Sequence, residues 1–525
     1  MSMTVKGGRQ LPLTVVVLLF LFGATTPARG QVFIRGNTNG DATVDLSDAV
    51  CILQYLFSPG GSPCSLQGCL DALDTNDDET PDLSDAVFLL NFLFQGGAPL
   101  PSPGTLYCGP DPTGDALGCA ISNCELTPCL LIPVGGLGLQ RNSDLAVDGA
   151  GNFFVVWEAD SDEDDNFQIR GRAYNSDGTT RGDRFQINST SPGQQLDPTV
   201  AMNALGNFVV AWEDDGDLVG EPGHGLFNVD ARGFNADGTE SIPQFEVNTG
   251  TSGQQIDPDA AMDPSGNFVV VWADDGSDDS DINFEIEARG FNADGTQLFT
   301  QFTINERQSK LQANPAIAMD SSGNFVVVWE EKGTGNFDIV GRGFYPDGLD
   351  PMDPMDMARV PEFTVNDETG GVQINPAIAM DPSGNFVVVW EHDGNLDENF
   401  EVEARGFDAN GNELFAQFTV NTGQSGQQVN PAVAMNAAGD FVVAWEDDGD
   451  GDGEFHVRFR GFNADGTENL TQTKADCIEP AQHLDPAIGL DAAGRLRIFW
   501  DETPDFLGPS HILGRTFPDP APTGE

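Results

Sequence analysis

Seven tryptophans hold one place in a repeated pattern: Trp157, Trp212, Trp272, Trp329, Trp390, Trp445 and Trp500, spaced 55 to 61 residues apart. A period of that size, made of strand-like segments, specifies units that bury their apolar faces only against their neighbours, as in a propeller or a solenoid. The 525 residues are too many for one compact core, so a second folded part is expected besides the repeats.

The copy Asn375–Trp390, followed by Glu401–Gly411 and Phe418–Asn421, reads as four strands with connecting turns. Asp381-Pro-Ser-Gly384 places Asp, Pro and Gly where a tight turn needs them, and Asn235-Ala-Asp-Gly238 repeats that logic. The strand Phe386–Trp390 is apolar on both faces, which suits a strand sandwiched between two sheets. A mainly β, seven-bladed propeller of four-stranded blades follows. A solenoid shares the periodicity, and topology separates the two. The last copy ends before its fourth strand, whereas Leu130-Leu-Ile-Pro-Val134 precedes the first copy unclaimed, so the two ends of the chain are expected to share the seventh blade.

In a propeller the tight hairpins lie on one face and the longer connections on the other, where function is sought. The loops after tryptophan are acidic, among them Asp160–Asp165, Asp214–Asp217, Asp274–Asp279 and Asp447–Glu454. One arginine recurs in every copy, at Arg172, Arg232, Arg289, Arg342, Arg405, Arg460 and Arg515. Its expected partner is a carboxylate of the adjacent strand, such as the Glu after Trp (Glu158, Glu213, Glu330, Glu391, Glu446).

With 83 acidic against 23 basic residues the formal charge is −60, which repels nucleic acid and anionic membranes. It suits divalent cations, a basic partner, or solubility in salty surroundings. Residues 1–30 have the layout of a cleaved secretory signal: Lys6 and Arg9, an apolar run Leu11–Phe22, then Ala28-Arg29-Gly30. That run is too short to span a bilayer, so no membrane insertion is expected, and the protein is placed outside the cell or at its surface. Seven of the eight cysteines (Cys51, Cys64, Cys69, Cys108, Cys119, Cys124, Cys129) precede the repeats, as in a small disulfide-stapled region; Cys477 lies within them. Residues 97–129, rich in Cys, Pro and Gly, read as a stapled linker between a small domain at 31–96 and the propeller at 130–517, with 518–525 as a tail.

Two segments match each other closely: Asn37-Thr-Asn-Gly-Asp-Ala-Thr-Val-Asp-Leu-Ser-Asp48 and Asp74-Thr-Asn-Asp-Asp-Glu-Thr-Pro-Asp-Leu-Ser-Asp85. Both set oxygen donors at positions 1, 3, 5, 9 and 12, the spacing by which a 12-residue loop surrounds a hard cation. Apolar helical patterns follow at Cys51–Phe57 and Phe88–Phe94. This duplicated unit resembles the dockerin type of EF-hand module. The resemblance implies a small α-helical domain ahead of the propeller, and calcium at Asn37, Asn39, Asp41, Asp45 and Asp48, and at Asp74, Asn76, Asp78, Asp82 and Asp85, with the position-7 carbonyls of Thr43 and Thr80. It also implies a cohesin-like or cell-surface protein partner. Position 6, normally Gly, is Ala42 and Glu79, and Leu46-Ser47 and Leu83-Ser84 stand where dockerins often carry a Ser/Thr pair.

A catalytic site on a repeat scaffold normally breaks the repeat with unlike residues converging on one place. His224, His392, His456, His483 and His511 read as falling at different positions in their copies, and no nucleophile–base pair is legible. The leading expectation is therefore a secreted, calcium-binding, noncatalytic binding or scaffold protein, docked by its small module and presenting an acidic face. Two alternatives stand beside it: a carbohydrate-active enzyme, a glycoside hydrolase or lyase using a carboxylate pair on polysaccharide, and a calcium-dependent cell-surface adhesin.

Overall fold

The computed structural model describes residues 46–57, 73–75, 83–95, 130–131 and, apart from several connecting loops, 139–517. The chain divides into two compact units, Met1–Thr127 and Pro128–Glu525.

In the second unit each copy of the repeat forms a four-stranded antiparallel sheet. The fifth blade consists of Val372–Met380, Phe386–Asp393, Glu401–Phe407 and Glu413–Thr419. Asp381–Gly384 closes its first hairpin, with Gly384 N donating to Asp381 O at 3.0 Å and Gly384 at φ +90°, where a Cβ would be strained. The outer strand begins earlier than the pattern Phe418–Asn421 suggests. The turn Asp408–Gly411 is tight enough that pairing starts at once with Phe407 opposite Glu413. Asn421 lies past the strand, and its Oδ1 accepts from Val402 N at 2.9 Å.

Every position of Phe386–Asp393 is buried, and all seven tryptophans have no exposed surface. The reason is the sandwich: Val387 and Val389 of the fifth blade share one apolar core with Phe441, Val443 and Trp445 of the sixth. Each inner strand (Leu139–Val147, Gln195–Met202, Gln255–Met262, Gln312–Met319, Val372–Met380, Gln428–Met435, Ala481–Leu490) packs against the inner strands of both neighbours, and the first packs against the seventh. The ring is closed, which excludes the solenoid. Leu130 and Leu131 pair with Gly514 and Leu513, so the segment ahead of the first blade supplies the outermost strand of the last.

In the first unit two helices, α1 (Leu46–Phe57) and α2 (Leu83–Gln95), pack through Ala49, Ile52, Leu73, Ala86 and Leu89. Both start five residues ahead of the apolar runs Cys51–Phe57 and Phe88–Phe94. Ala49 and Ala86 already belong to the buried stripe, and Asp85 in the first turn of α2 favours the positive end of the helix.

Candidate functional site

The inner strands carry the clearest local irregularity. In each, one Asn or Asp sits in the left-handed region: Asn142, Asp197, Asp257, Asn314, Asn375, Asn430 and Asp485, with φ between 44 and 53°. These side chains tolerate that conformation better than others. The register shifts there, and the Glu after Trp fills the gap. Glu391 Oε1 accepts from Asn375 Nδ2 in its own blade at 2.6 Å and from Asn430 N of the next blade at 2.8 Å. Glu158, Glu330 and Glu446 do the same, while Asp501 accepts from Asn142 N at 2.7 Å and links the last blade to the first. Burial raises Glu391 to about 7 and Glu446, with the charge of Asp485 added, to about 8. Ala273 interrupts the ring in the third blade. Beside it Asp197, Glu213 and Asp257 bring carboxylate oxygens within 4.8 Å of one another.

Two residues further along the inner strands the repeat has alanine, at Ala316, Ala377, Ala432 and Ala487. The first three blades depart from it, with Asp144, Thr199 and Asp259. Thr199 Oγ1 lies 3.3 Å from Asp144 Oδ2 and 3.0 Å from Asp259 Oδ1, so one hydroxyl bridges two carboxyls. Backbone amides fix both: Val200 N and Leu145 N donate to Asp144 at 2.7 Å each, and Ile317 N and Ala260 N to Asp259 at 2.8 Å each. Both aspartates are half-buried. Desolvation among the crowded inner strands, opposed by those amides, holds Asp144 at about 7 and Asp259 at about 6, with the charge of Asp259 adding to the rise of Asp144.

A second departure lies between the sixth and seventh blades. His456 and His483 come together on Asp476, with His456 Nδ1 at 3.0 Å and His483 Nδ1 at 3.5 Å from Asp476 Oδ2. His456 and His483 are thus not scattered, while His392 stands apart in the fifth blade beside Gln373 and His224 lies outside the described residues. His456 and His511 open the third strands of adjacent blades, and His456 meets His483 although they stand on different strands of different blades. Chain order conceals that meeting.

The recurrent arginine takes other partners than the Glu after Trp. Arg405 Nη1 donates to Val365 O of the preceding blade at 2.8 Å and pairs with Asp367 and Glu413, its guanidinium 5.3 Å from the centre of the Phe407 ring. Arg232, Arg289, Arg342, Arg460 and Arg515 reach back to the preceding blade in the same manner. Each Glu after Trp is taken up by the inner ring instead. The arginines stitch blades together near the rim. Arg172 differs, donating to Gly182 O of its own blade.

Of the calcium residues expected from the sequence, Asn37, Asn39, Asp41, Thr43, Asp45, Asn76, Asp78, Thr80 and Asp82 lie outside the described residues. Asp48 is in the first turn of α1. Asp74 and Asp85 are fully buried, and Thr75 Oγ1 donates to Asp85 O at 2.7 Å, which brings the two ends of the second segment together. In the acidic loops after tryptophan, residues 161–165, 217, 277–279, 450 and 452 are likewise outside the described residues. Among the described ones, Asp214, Asp274 and Asp448 cap their own turns, as Asp274 Oδ1 does for Gly276 N at 2.8 Å, whereas Asp447 pairs with Arg458 and Asp215 accepts from Gln194 N at 2.8 Å.

No protein-family model and no curated protein matches the chain. Among solved structures it is similar to an ulvan lyase from a new family of polysaccharide lyases, at 10% identity over 72% of this chain and 94% of that one, with a TM-score of 0.47. It is also similar to an α-L-arabinofuranosidase of Fusarium graminearum in complex with arabinobiose (12% identity, 63% and 96% covered, TM-score 0.40) and to a protein of unknown function from Dyadobacter fermentans (12%, 74% and 96%, TM-score 0.44). These are likenesses of fold.

The noncatalytic scaffold expected from the sequence is corrected here. Within the chain the premise behind that expectation fails, since unlike residues do break the repeat and converge, at Asp144–Thr199–Asp259 and at His456–Asp476–His483.

Proposed function

We propose that the propeller is a carbohydrate-active enzyme that hydrolyses glycosidic bonds of a neutral polysaccharide, with Asp144 and Asp259 as its paired carboxyls. One observation carries the reading: two carboxyls bridged by a single hydroxyl, on inner strands where the other blades have alanine. A carboxyl held near 7 is about half protonated at neutral pH and can give its proton to a leaving oxygen, while a neighbour near 6 is mostly ionised and can act as base or nucleophile. Both carboxyls reach one hydroxyl, at 3.3 and 3.0 Å, which keeps them too close for the wider spacing of about 6.5–9.5 Å used by inverting glycosidases and favours a retaining arrangement. Hydrolysis of a neutral chain is favoured over lysis of a uronate because an anionic glycan would meet a surface with a formal charge of −60, while the recurrent arginines are engaged in joining blades.

Secretion by the N-terminal signal and calcium on the paired loops belong to the same proposal. Asp48 and the buried Asp74 and Asp85 are the described residues that would hold such ions, whose role would be to fold the small module that places the enzyme at a surface or partner.

The test supplies the full chain with arabinan-type neutral polysaccharides and with ulvan-type anionic ones, and measures new reducing ends and unsaturated uronates separately. Reducing ends alone are expected, lost by 10²–10⁴-fold on order of magnitude in Asp144→Ala and Asp259→Ala, which restore the alanine of the other blades. Unsaturated products, or full activity in either variant, would refute it.

A further inference from the structure

We propose a divalent transition-metal site at the joint between the sixth and seventh blades, with His456, His483 and Asp476 as ligands and an ion of zinc-like character. The repeat supplies the first argument. At other joints an Asn that follows the outer strand bonds to a Gln that begins the next inner strand: Asn188 to Gln195 at 2.9 Å, Asn248 to Gln255 at 3.2 Å, Asn366 to Gln373 at 3.3 Å and Asn421 to Gln428 at 3.1 Å. In each pair a neutral amide donates to a neutral amide. At the joint between the sixth and seventh blades the Asn place is taken by Asp476 and the Gln place by His483. Two neutral amides have become a carboxylate and an imidazole, and His456 adds a second imidazole at a place that varies among the blades, with Gln168, Asn228, Glu285, Asp338 and Glu401 in the first five.

The second argument is a buried polar group left over. His483 has no exposed surface, and neither of its ring nitrogens makes a hydrogen bond. Burying an imidazole in that state is unfavourable unless something else meets a nitrogen. Opposite it on the neighbouring strand is Glu502, also buried, whose Oε2 has no hydrogen-bond partner. Glu502 thus stands beside the three-residue cluster as a further oxygen donor, outside the group whose ligand atoms lie within 4.8 Å of one another.

Geometry is the third. One ligand atom from each of His456, Asp476 and His483 lies within 4.8 Å of the others. Around a tetrahedral ion with bonds of about 2.0–2.1 Å, ligand atoms stand roughly 3.3 Å apart, and the two distances to Asp476 Oδ2, 3.0 and 3.5 Å, straddle that value. The carboxylate is already oriented, because its Oδ1 accepts from Val457 N at 3.0 Å. The two strands bearing the histidines are tied by His483 N to Phe455 O at 3.1 Å. Lys474 Nζ, 3.1 Å from Asp476 Oδ2, is the one described cation in the way. Its side chain is 30% exposed and can swing outward. Two imidazoles and a carboxylate favour zinc, cobalt or a similar ion over calcium, which takes oxygen ligands.

The test uses the full chain, stripped by chelation and titrated with cobalt(II) and zinc(II), alongside Asp476→Asn/His483→Gln. That double variant installs the amide pair of the other joints, so it is expected to fold. Ions held by the N-terminal loops or by cysteines appear equally in both proteins and cancel. The wild-type chain should bind one further ion, give the visible spectrum of four-coordinate cobalt, and melt at higher temperature with metal. The variant should bind at that site roughly a hundredfold or more weakly. His456→Asn gives a second readout through one ligand alone, with at least about a tenfold loss. Equal uptake and identical cobalt spectra in wild-type and variant chains would overturn the site.

Discussion

The backbone N–H of Asn430 donates at 2.8 Å to Oε1 of Glu391, a residue of the preceding blade. The same oxygen accepts from Asn375 Nδ2 at 2.6 Å. A single carboxyl thus satisfies an irregular inner strand on one side and secures it to the next blade on the other. Glu391→Ala would leave two donors without an acceptor in a buried place, and the expected loss is about 2–4 kcal/mol in urea denaturation. A loss below half a kilocalorie on this order-of-magnitude scale would mean that water takes over the bonds.

Burial holds the Glu391 carboxyl at about 7, above its ordinary 4.5. The folded chain then binds more protons than the unfolded chain between those values. Its stabilising contribution is complete below the lower value and is lost as pH rises through the upper one, by on the order of 3 kcal/mol. Glu391→Gln keeps an acceptor oxygen and removes the titration. Its stability relative to wild type should therefore improve between pH 5 and pH 8, and parallel pH profiles would contradict the assignment.

The Asp144–Asp259 pair predicts a bell-shaped dependence of kcat/KM on pH, its limbs set by the apparent values of the pair near 6 and 7. Asp259→Asn should lose the acidic limb along with most activity. A profile flat from pH 5 to pH 8 would remove the pair from the reaction.

Arg405 joins Val365 O, Asp367 and Glu413 with one planar group laid over Phe407. Lysine cannot reproduce that fork, so Arg405→Lys should cost about 1–2 kcal/mol in thermal or urea unfolding. Glycan cleavage per folded molecule should not change. A matching loss of kcat in folded protein would show that the rim takes part in function.

The blades were legible because the information is local. One Trp, one Asp-Pro-Ser-Gly turn and one strand apolar on both faces fall within a few residues of each other, and Leu130–Leu131 stood out as a strand without a blade. The Asn or Asp that bends each inner strand left a weaker trace, the Asn-Pro or Asp-Pro beside Pro198, Pro258, Pro315, Pro376, Pro431 and Pro486. The two sites could not be seen by scanning along the chain. Asp144, Thr199 and Asp259 are each ordinary where they stand, and their meaning appears only against Ala316, Ala377, Ala432 and Ala487 at the same place. The recurrent arginine meets carboxylates other than the Glu after Trp because its partners lie on the outer strand and in the preceding blade, contacts that strand spacing within one copy does not encode.

Each blade holds one fully buried indole, and the chain has seven tryptophans in all. Intrinsic fluorescence therefore samples the ring evenly, one emitter per blade with none outside it. Loss of a single blade would remove about a seventh of the blue-shifted signal, whereas a ring that yields as a whole would redden in one sigmoidal step. The protein carries its own optical tally of intact blades, and a melting curve read at one wavelength reports whether closure has made the seven behave as one.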